Sequence, residues 1–301
     1  MASRWSILAP IDLSYQSEAA VEYAIGVARS LAADLNLLHV IRFESAQSCH
    51  WPSNAWPGLG EPFEIRRRVL RGEAAATISE HAEAIDADLV LMATRLYGRW
   101  NRFWRRSVTE EVLRLSGRPV CIAPAIKPGS AFEPRSRSIL VAVELEGNDA
   151  ALAYKAQEVA LRTGSELVLL HVVPEPNEGL LHYVVEQGRR PLSRERADKD
   201  LRNLATALCV PATPLVLVGS WSRCLAQAAR EYSVDLVMSS RGSGASPAIG
   251  DVGLGHVVRR LACPLFTVPV EGWTPLPAPS LKREIFGHKR TAIQDPISPV
   301  L

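Results

Sequence analysis

The stretch Ile7-Leu8-Ala9-Pro10-Ile11-Asp12-Leu13 recurs 132 residues further along the chain as Ile139-Leu140-Val141-Ala142-Val143-Glu144-Leu145. The same spacing aligns Leu37-Leu38-His39-Val40 with Leu169-Leu170-His171-Val172, and twelve of the 34 positions from 7 to 40 are identical. Self-similarity over such a length indicates a duplicated domain. The 301 residues are enough for two cores, so the chain is expected to consist of two related halves.

Both halves show the same order of predicted elements. Each opens with a short, unbroken apolar run, which is typical of a parallel strand buried on both faces. A helix follows, with Ala20, Ala24, Val27 and Leu31 at helical spacing and Ser17 as a candidate N-cap. The remaining predicted elements of the first half are strands at Leu35–Val40, Val69–Leu70, Asp88–Ala93 and Pro119–Ala123, a helix ending near Ile85, and a helix at Ser107–Leu115. Strands alternating with helices predict an α/β fold with two tandem, doubly wound, open parallel sheets.

The predicted domains are residues 1–126 and 139–270, joined by a linker at 127–138. The halves differ in the middle. Residues 42–64 carry a proline and glycine pattern that breaks helices, whereas residues 193–208 favour a helix leading into a strand at 215–218. Residues 271–301 contain five prolines and no apolar period, and we expect a tail there that either lies on the surface or is disordered.

Composition excludes several classes of protein. A net charge of +2 and a 47% hydrophobic share do not fit a disordered chain, and no apolar run is long enough to span a membrane. Five cysteines without a CxxC pair favour free thiols in a cytoplasmic protein and give no metal-site pattern.

Five motifs, in order, carry a family resemblance. They are Ala9-Pro10-Ile11-Asp12-Leu13-Ser14, Leu37-Leu38-His39-Val40, Asp88-Leu89-Val90-Leu91-Met92, Ser107-Val108-Thr109-Glu110-Glu111-Val112 and Arg118-Pro119-Val120. The set resembles the universal stress protein family, whose fold is adenine nucleotide alpha hydrolase-like, and a weaker copy in the second half makes this chain similar to a tandem member. The resemblance implies a role in stress resistance. It also implies association through the final strand of each half, within one chain or in a homodimer.

The resemblance further implies a nucleotide site at the carboxyl ends of the strands. ATP-binding members carry a G-x2-G-x9-G-[ST] pattern, whose backbone amides and helix N-terminus hold phosphates. Here the three glycine positions of the first half hold Ala93, Leu96 and Arg106, while the residues that match are Asp12, Val40, Ser107, Val108 and Thr109. The sequence therefore leaves open whether the first half binds ATP.

The second half departs from the pattern in a different way. Glu144 replaces the aspartate, Ser239 and Gly242 fall on the first two glycine positions, and Asp251 falls on the third. An acid at a helix start repels phosphate. Gly242 is the one candidate binding residue in this half.

An arginine cluster occupies the first-half loop. Arg95, Arg99, Arg102, Arg105 and Arg106 alternate with Tyr97, Trp100, Phe103 and Trp104. The guanidinium groups could bind an anionic ligand while the rings stack on it. Alternatively, the rings pack on the other domain or on a second subunit and the arginines form a solvated face. No other part of the chain is basic enough to favour nucleic acid.

The sequence shows no motif of a known catalytic class, and Asp12 has no evident paired base or nucleophile. His39 and His171 end equivalent strands, which favours a hydrogen-bonded scaffold role. We therefore expect a non-enzymatic, cytoplasmic stress-response protein that acts by binding a ligand or a partner. Two alternatives stay open, an ATP-binding switch that hydrolyses slowly and a carrier of an anionic, lipid-linked ligand.

Overall fold

The structure is a computed structural model, and its described part comprises residues 4–13, 17–42, 63–93, 108–123, 137–145, 150–174, 193–241 and 260–269. We number the elements within these residues in chain order. The first half contains β1 (Ser6–Ile11), α1 (Ser17–Ser30), β2 (Asp34–Ile41), β3 (Ile65–Arg71), α2 (Ala74–Ala84), β4 (Leu89–Ala93), α3 (Val108–Leu115) and β5 (Val120–Ala123). The second contains β6 (Ser138–Ala142), α4 (Ala150–Thr163), β7 (Glu166–Val173), α5 (Arg194–Ala207), β8 (Ala212–Val218), α6 (Trp221–Glu231), β9 (Leu236–Arg241) and β10 (Leu265–Pro269).

All ten strands form one continuous sheet in the order β3-β2-β1-β4-β5-β10-β9-β6-β7-β8. The strands within each half are parallel, and the halves meet where β5 pairs antiparallel with β10, with Cys121 opposite Phe266. The final strands of the two halves thus pair within a single chain. This arrangement confirms the predicted α/β class with parallel sheets in tandem. The boundaries proposed for the domains and the tail stay predictions.

Each face of the sheet carries one apolar layer that runs across both halves. Helices α1, α4 and α5 pack on one face around residues such as Ile7, Leu37 and Leu169. Helices α2, α3 and α6 pack on the other face around Leu8, Leu38 and Leu140. Neighbouring residues alternate between the layers because successive side chains of a strand point to opposite faces. Buried on both sides, these strands need apolar residues at every position, which explains the unbroken runs in the sequence.

Three local predictions differ from the structure. Ser17 was expected to cap α1 but is its first helical residue. Strand β3 begins at Ile65, four residues before the predicted start. The prediction missed these residues because β3 is an edge strand, and its exposed arginines interrupt the apolar pattern. Strand β8, at the other edge, likewise begins three residues early, at Ala212. In contrast, α5 agrees with its prediction, and the Ser193 hydroxyl caps it by accepting from the amide of Arg196.

Candidate functional site at the carboxyl edge of the first half

Several candidate residues of the first half come from elements that end or begin at one edge of the sheet. Asp12 directly follows β1, Val40 lies near the end of β2, and Ala93 ends β4, while β1 pairs with both β2 and β4. Helix α3 begins at Val108 and lies between β4 and β5 in the chain. In a doubly wound sheet, ligands bind at this edge, beyond the strand ends and near helix N-termini.

Asp12 has a built-in orientation. The Ser17 hydroxyl, at the start of α1, donates a hydrogen bond of 2.5 Å to its Oδ1. Between them, Leu13 adopts a left-handed backbone conformation (φ 57°), which is uncommon for a residue other than glycine. Asp12 is nevertheless exposed. Its carboxylate is thus held at one oxygen by the protein and remains accessible at the strand end.

His39 joins the two strands that carry Asp12 and Val40. Its Nδ1 lies 2.9 Å from the carbonyl oxygen of Ile11, which is its register partner in β1. Because a carbonyl only accepts, Nδ1 is the donor. His171 makes the same 2.9 Å contact with the carbonyl of Val143. The repeated contact agrees with the scaffold role that the sequence favours for both histidines.

The described residues next to the predicted phosphate loop are the end of β4 and the start of α3. Ala93, at the first glycine position, is the last residue of β4. Val108 is 43% exposed at the start of α3, so the first turn of this helix is accessible. However, that turn also carries Glu110 and Glu111, whose charges oppose an anion at a helix N-terminus.

The second half offers a different strand end. Glu144, equivalent to Asp12, is half-buried. Ser239 was expected at a glycine position of the loop but lies inside β9, where it is 2% exposed and its hydroxyl donates to the carbonyl of Ser240. The register pairs Val90 with Leu8 and Val237 with Leu140, so Ala93 corresponds to Ser240 rather than to Ser239. The sequence alignment had placed this position one residue too early.

The remaining candidates lie outside the described residues. They are Ser107, Gly242, Arg95, Arg99, Arg102, Arg105 and Arg106. The structure therefore brings Asp12 and Val40 to neighbouring strand ends and places Val108 and Thr109 in the first turn of α3. The predicted role of the arginine cluster in binding an anionic ligand stays a prediction.

Two features are absent from the described residues. They contain no group of three or more His, Cys, Asp or Glu side chains placed to hold a metal ion. Within the same residues, every helix is too short or too polar to cross a membrane.

Sequence reasoning missed the bond between Ser17 and Asp12. A spacing of five residues does not by itself predict a hydrogen bond between two side chains. The two come together here because the chain turns from β1 into α1 through Leu13, which has a left-handed backbone conformation. It also missed the contacts of Trp5 with the second half, described below. Those contacts join residues 150 or more positions apart, and no local sequence pattern predicts them.

The fold defines a doubly wound α/β protein with candidate binding residues at its strand ends. A family model described as the universal stress protein family matches residues 59–124 and 135–269, and the chain belongs to that family. The predicted resemblance is thereby confirmed.

Solved structures of the same family are similar to this chain in fold. A universal stress protein from Archaeoglobus fulgidus DSM 4304 superposes with a TM-score of 0.62 at 17% identity, covering 88% of this chain and 96% of its own. For a putative universal stress protein from Pseudomonas aeruginosa UCBPP-PA14, the TM-score is 0.63 at 17% identity, with 89% and 94% covered. A universal stress protein from Archaeoglobus fulgidus in complex with dAMP matches 42% of this chain and 100% of its own, at 17% identity and a TM-score of 0.29. No curated protein matches the sequence.

Proposed function

We propose that this protein is a non-enzymatic, cytoplasmic stress-response protein that binds a small ligand at the carboxyl edge of its first half. The observation that carries the proposal is the accessible Asp12 carboxylate, oriented by Ser17 at the strand end next to the one that carries Val40. A carboxylate held in this way accepts hydrogen bonds from hydroxyl or amino groups, as a ribose or a base offers. Val40 adds an apolar surface that is half-buried.

The same residues favour binding over catalysis. General acid–base or nucleophilic chemistry needs a second group within hydrogen-bond reach. Among the contacts of Asp12, the Ser17 hydroxyl donates to the carboxylate, which suits orientation of the carboxylate better than activation of the hydroxyl for attack. His39 donates through Nδ1 to the carbonyl of Ile11 and so links β2 to β1. We therefore assign the residues of the site to holding and orienting a ligand, with a nucleoside as the chemical class that fits best.

The test is a thermal melt of the full chain with adenosine, with Mg-ATP and without ligand. A ligand at 100 times its Kd adds about 2.7 kcal/mol, which corresponds to several degrees of melting temperature. We expect adenosine to raise the melting temperature at least as much as Mg-ATP, and Asp12→Ala to abolish the shift. Two controls separate binding from folding. Ser17→Ala removes the hydroxyl that orients the carboxylate and should reduce the shift, whereas Glu144→Ala alters only the second half and should leave the shift unchanged.

Other outcomes lead to other functions. Release of phosphate from Mg-ATP that stops in Asp12→Ala would replace the proposal with the hydrolysing switch. No shift with either compound would contradict a nucleoside site and direct attention to an anionic ligand at the arginine cluster.

A further inference from the structure

We propose that the junction between the halves selects its partner, so that the first half pairs with the second half of the chain and rejects a copy of itself. The surface responsible is the start of β1, with Trp5, against one side of α4, with Lys155, Glu158 and Arg162. We call these four residues the junction cluster. The inference is independent of the ligand proposed above.

Trp5 is fully buried although it lies at the very start of β1. Its indole N–H donates a hydrogen bond of 3.0 Å to Glu158 Oε1 on α4. The Lys155 ammonium lies 4.2 Å from the centroid of the indole ring, and the Arg162 guanidinium carbon lies 5.0 Å from it. Both distances are within the range of cation–π attraction, which strengthens when water is excluded. One first-half side chain thus contacts three charged groups of the second half, one through a hydrogen bond and two through the ring.

Glu158 is the centre of the junction cluster. Its Oε2 accepts from Lys155 Nζ at 2.9 Å, and its Oε1 lies 3.5 Å from Arg162 Nη2. Arg162 also donates through Nη1 to the carbonyl of Leu31 in the first half, at 3.3 Å. The cluster contains two cations and one anion. The additional positive charge is compensated from the first half, by the Trp5 ring and the Leu31 carbonyl.

Lys155 depends most on this compensation. Its side chain is 2% exposed, so the ammonium has lost nearly all of its water. A buried charge is tolerated only when it is paired and hydrogen-bonded, and removing a partner is strongly destabilising. In the first half Asp88 also attracts the Lys155 ammonium electrostatically. A partner without these groups would remove the first-half share of this stabilisation and leave Glu158 to pair with both cations.

The equivalent positions of the two halves carry different chemistry. The 132-residue spacing equates Trp5 with Arg137, and it equates Lys155, Glu158 and Arg162 with Tyr23, Gly26 and Ser30. The strand order is the same outward from the junction on both sides, and β5 and β10 run antiparallel. The start of β6 therefore approaches α1 as the start of β1 approaches α4. The helix residues are charged on one side of the junction and neutral on the other, where Arg137 takes the place of Trp5.

Pairing of like halves breaks this match in both directions. Two first halves would place the Trp5 indole against the positions of Tyr23, Gly26 and Ser30, which offer no carboxylate to the indole N–H. Two second halves would bring Asp235 to the position of Asp88, but they would also replace the Trp5 ring with Arg137, a third cation. Specificity arises when the wrong partner leaves charges unpaired. Both like pairings are disfavoured, and the pair within the chain is selected.

The experiment uses the full chain with a protease site inserted between residues 130 and 131. The folded protein is cut at this site, both fragments are kept, and isotope-labelled and unlabelled samples are mixed at a urea concentration where halves exchange. Native mass spectrometry then identifies the pairs, since the fragments differ in mass. We expect only pairs of one first and one second half. First–first or second–second pairs at comparable abundance would overturn the proposal.

Variants of the junction cluster separate selection from simple stability. In the cut protein, Glu158→Gln should raise the Kd between the halves about a hundredfold, because it leaves two cations without their anion. Asp198→Asn, which breaks the exposed pair with Arg202 on α5, is the matched control and should change the Kd by less than about threefold. The combination of Lys155→Met, Glu158→Gln and Arg162→Met keeps the volume but removes the charges. We expect it to admit second–second pairs, and their continued absence would contradict the proposed mechanism.

Discussion

The hydroxyl of Thr267 in β10 donates a hydrogen bond of 3.0 Å to the backbone carbonyl of Val120 in β5, at a position that is completely buried. These two residues are also register partners at the antiparallel seam. A side-chain hydrogen bond therefore supplements the backbone pairing where the two halves of the sheet join.

We expect Thr267→Val to lower the free energy of unfolding by about 1–3 kcal/mol. Valine has nearly the same shape, so the change isolates the lost hydroxyl, and the carbonyl of Val120 loses a partner in a dry environment. Urea denaturation measures the effect. Thr267→Ser retains the hydroxyl and serves as the control, although it also removes a methyl group. Equal losses in both variants would show that packing, and not the hydrogen bond, matters at the seam.

Asp88 makes stability depend on pH. Its Oδ2 accepts from the backbone amide of Ser6 at 2.9 Å, and burial raises the pKa of its carboxyl above the usual 3.8. Between 3.8 and the raised value the folded state holds more protons than the unfolded state, so this group's contribution to stability falls as pH rises through that window. Asp88→Asn keeps an acceptor for Ser6 and removes the titration. The free energy of unfolding, measured from pH 3 to pH 7, should fall in the parent relative to the variant as pH rises.

The Lys155 ammonium opposes this rise in the Asp88 pKa by attraction. In Lys155→Met the pKa of Asp88 should therefore rise further, and the pH window should widen toward neutrality. An unchanged window would mean that the lysine does not act on Asp88.

Thiol reactivity should separate the cysteines by burial. Burial raises the pKa of Cys121 to about 12 and that of Cys263 to about 11, and the thiolate is the reactive form. Cys224 is buried as well, whereas Cys209 is exposed. In a Cys49→Ser background at pH 8, we expect one thiol to react rapidly with an aromatic disulfide reagent, and the Cys209→Ser variant to lose that reaction. Rapid labelling of two or more thiols in the native state would contradict the burial.

Gly72 leads from β3 into α2 at a place where a side chain does not fit. A Cβ there would collide with the Thr77 hydroxyl oxygen. We expect Gly72→Ala to destabilise the protein by about 1–3 kcal/mol and Thr77→Ala to restore part of that loss in the double variant. Thermal melts of the four combinations measure the coupling.

Gly164 provides the contrast for this test. It ends α4 with a left-handed backbone (φ +71°), and an added Cβ would meet no atom within 4 Å. Gly164→Ala should cost about 1–2 kcal/mol through backbone strain alone. Thr77→Ala should have no effect on this loss.

Much of the fold could be predicted from local patterns. The strand that carries Leu37 and Leu38 is apolar throughout because both faces of the sheet are covered, so the run of residues directly reports the burial. Strand β3 could not be recognised over its full length in the same way. Its arginines lie at the edge of the sheet, where exposure removes the apolar constraint.

The candidate site was predicted only in part. Asp12 and Val40 follow recognisable strands, so their meeting at one edge is a consequence of parallel topology. The orientation of Asp12 by Ser17 depends on the left-handed turn at Leu13, which no residue type there requires. The place of Ser239 inside β9 likewise became clear only from the strand register.

The sequence by itself determined the duplication, the α/β class and the candidate residues at the strand ends, because burial periodicity and repeated motifs are local properties. Tertiary structure alone decided how the halves join. Trp5 and Glu158 are 153 positions apart, and their contact exists only because β5 and β10 pair antiparallel and bring α4 to the start of β1. The partners of a buried charge are chosen by packing in three dimensions, so composition cannot reveal them.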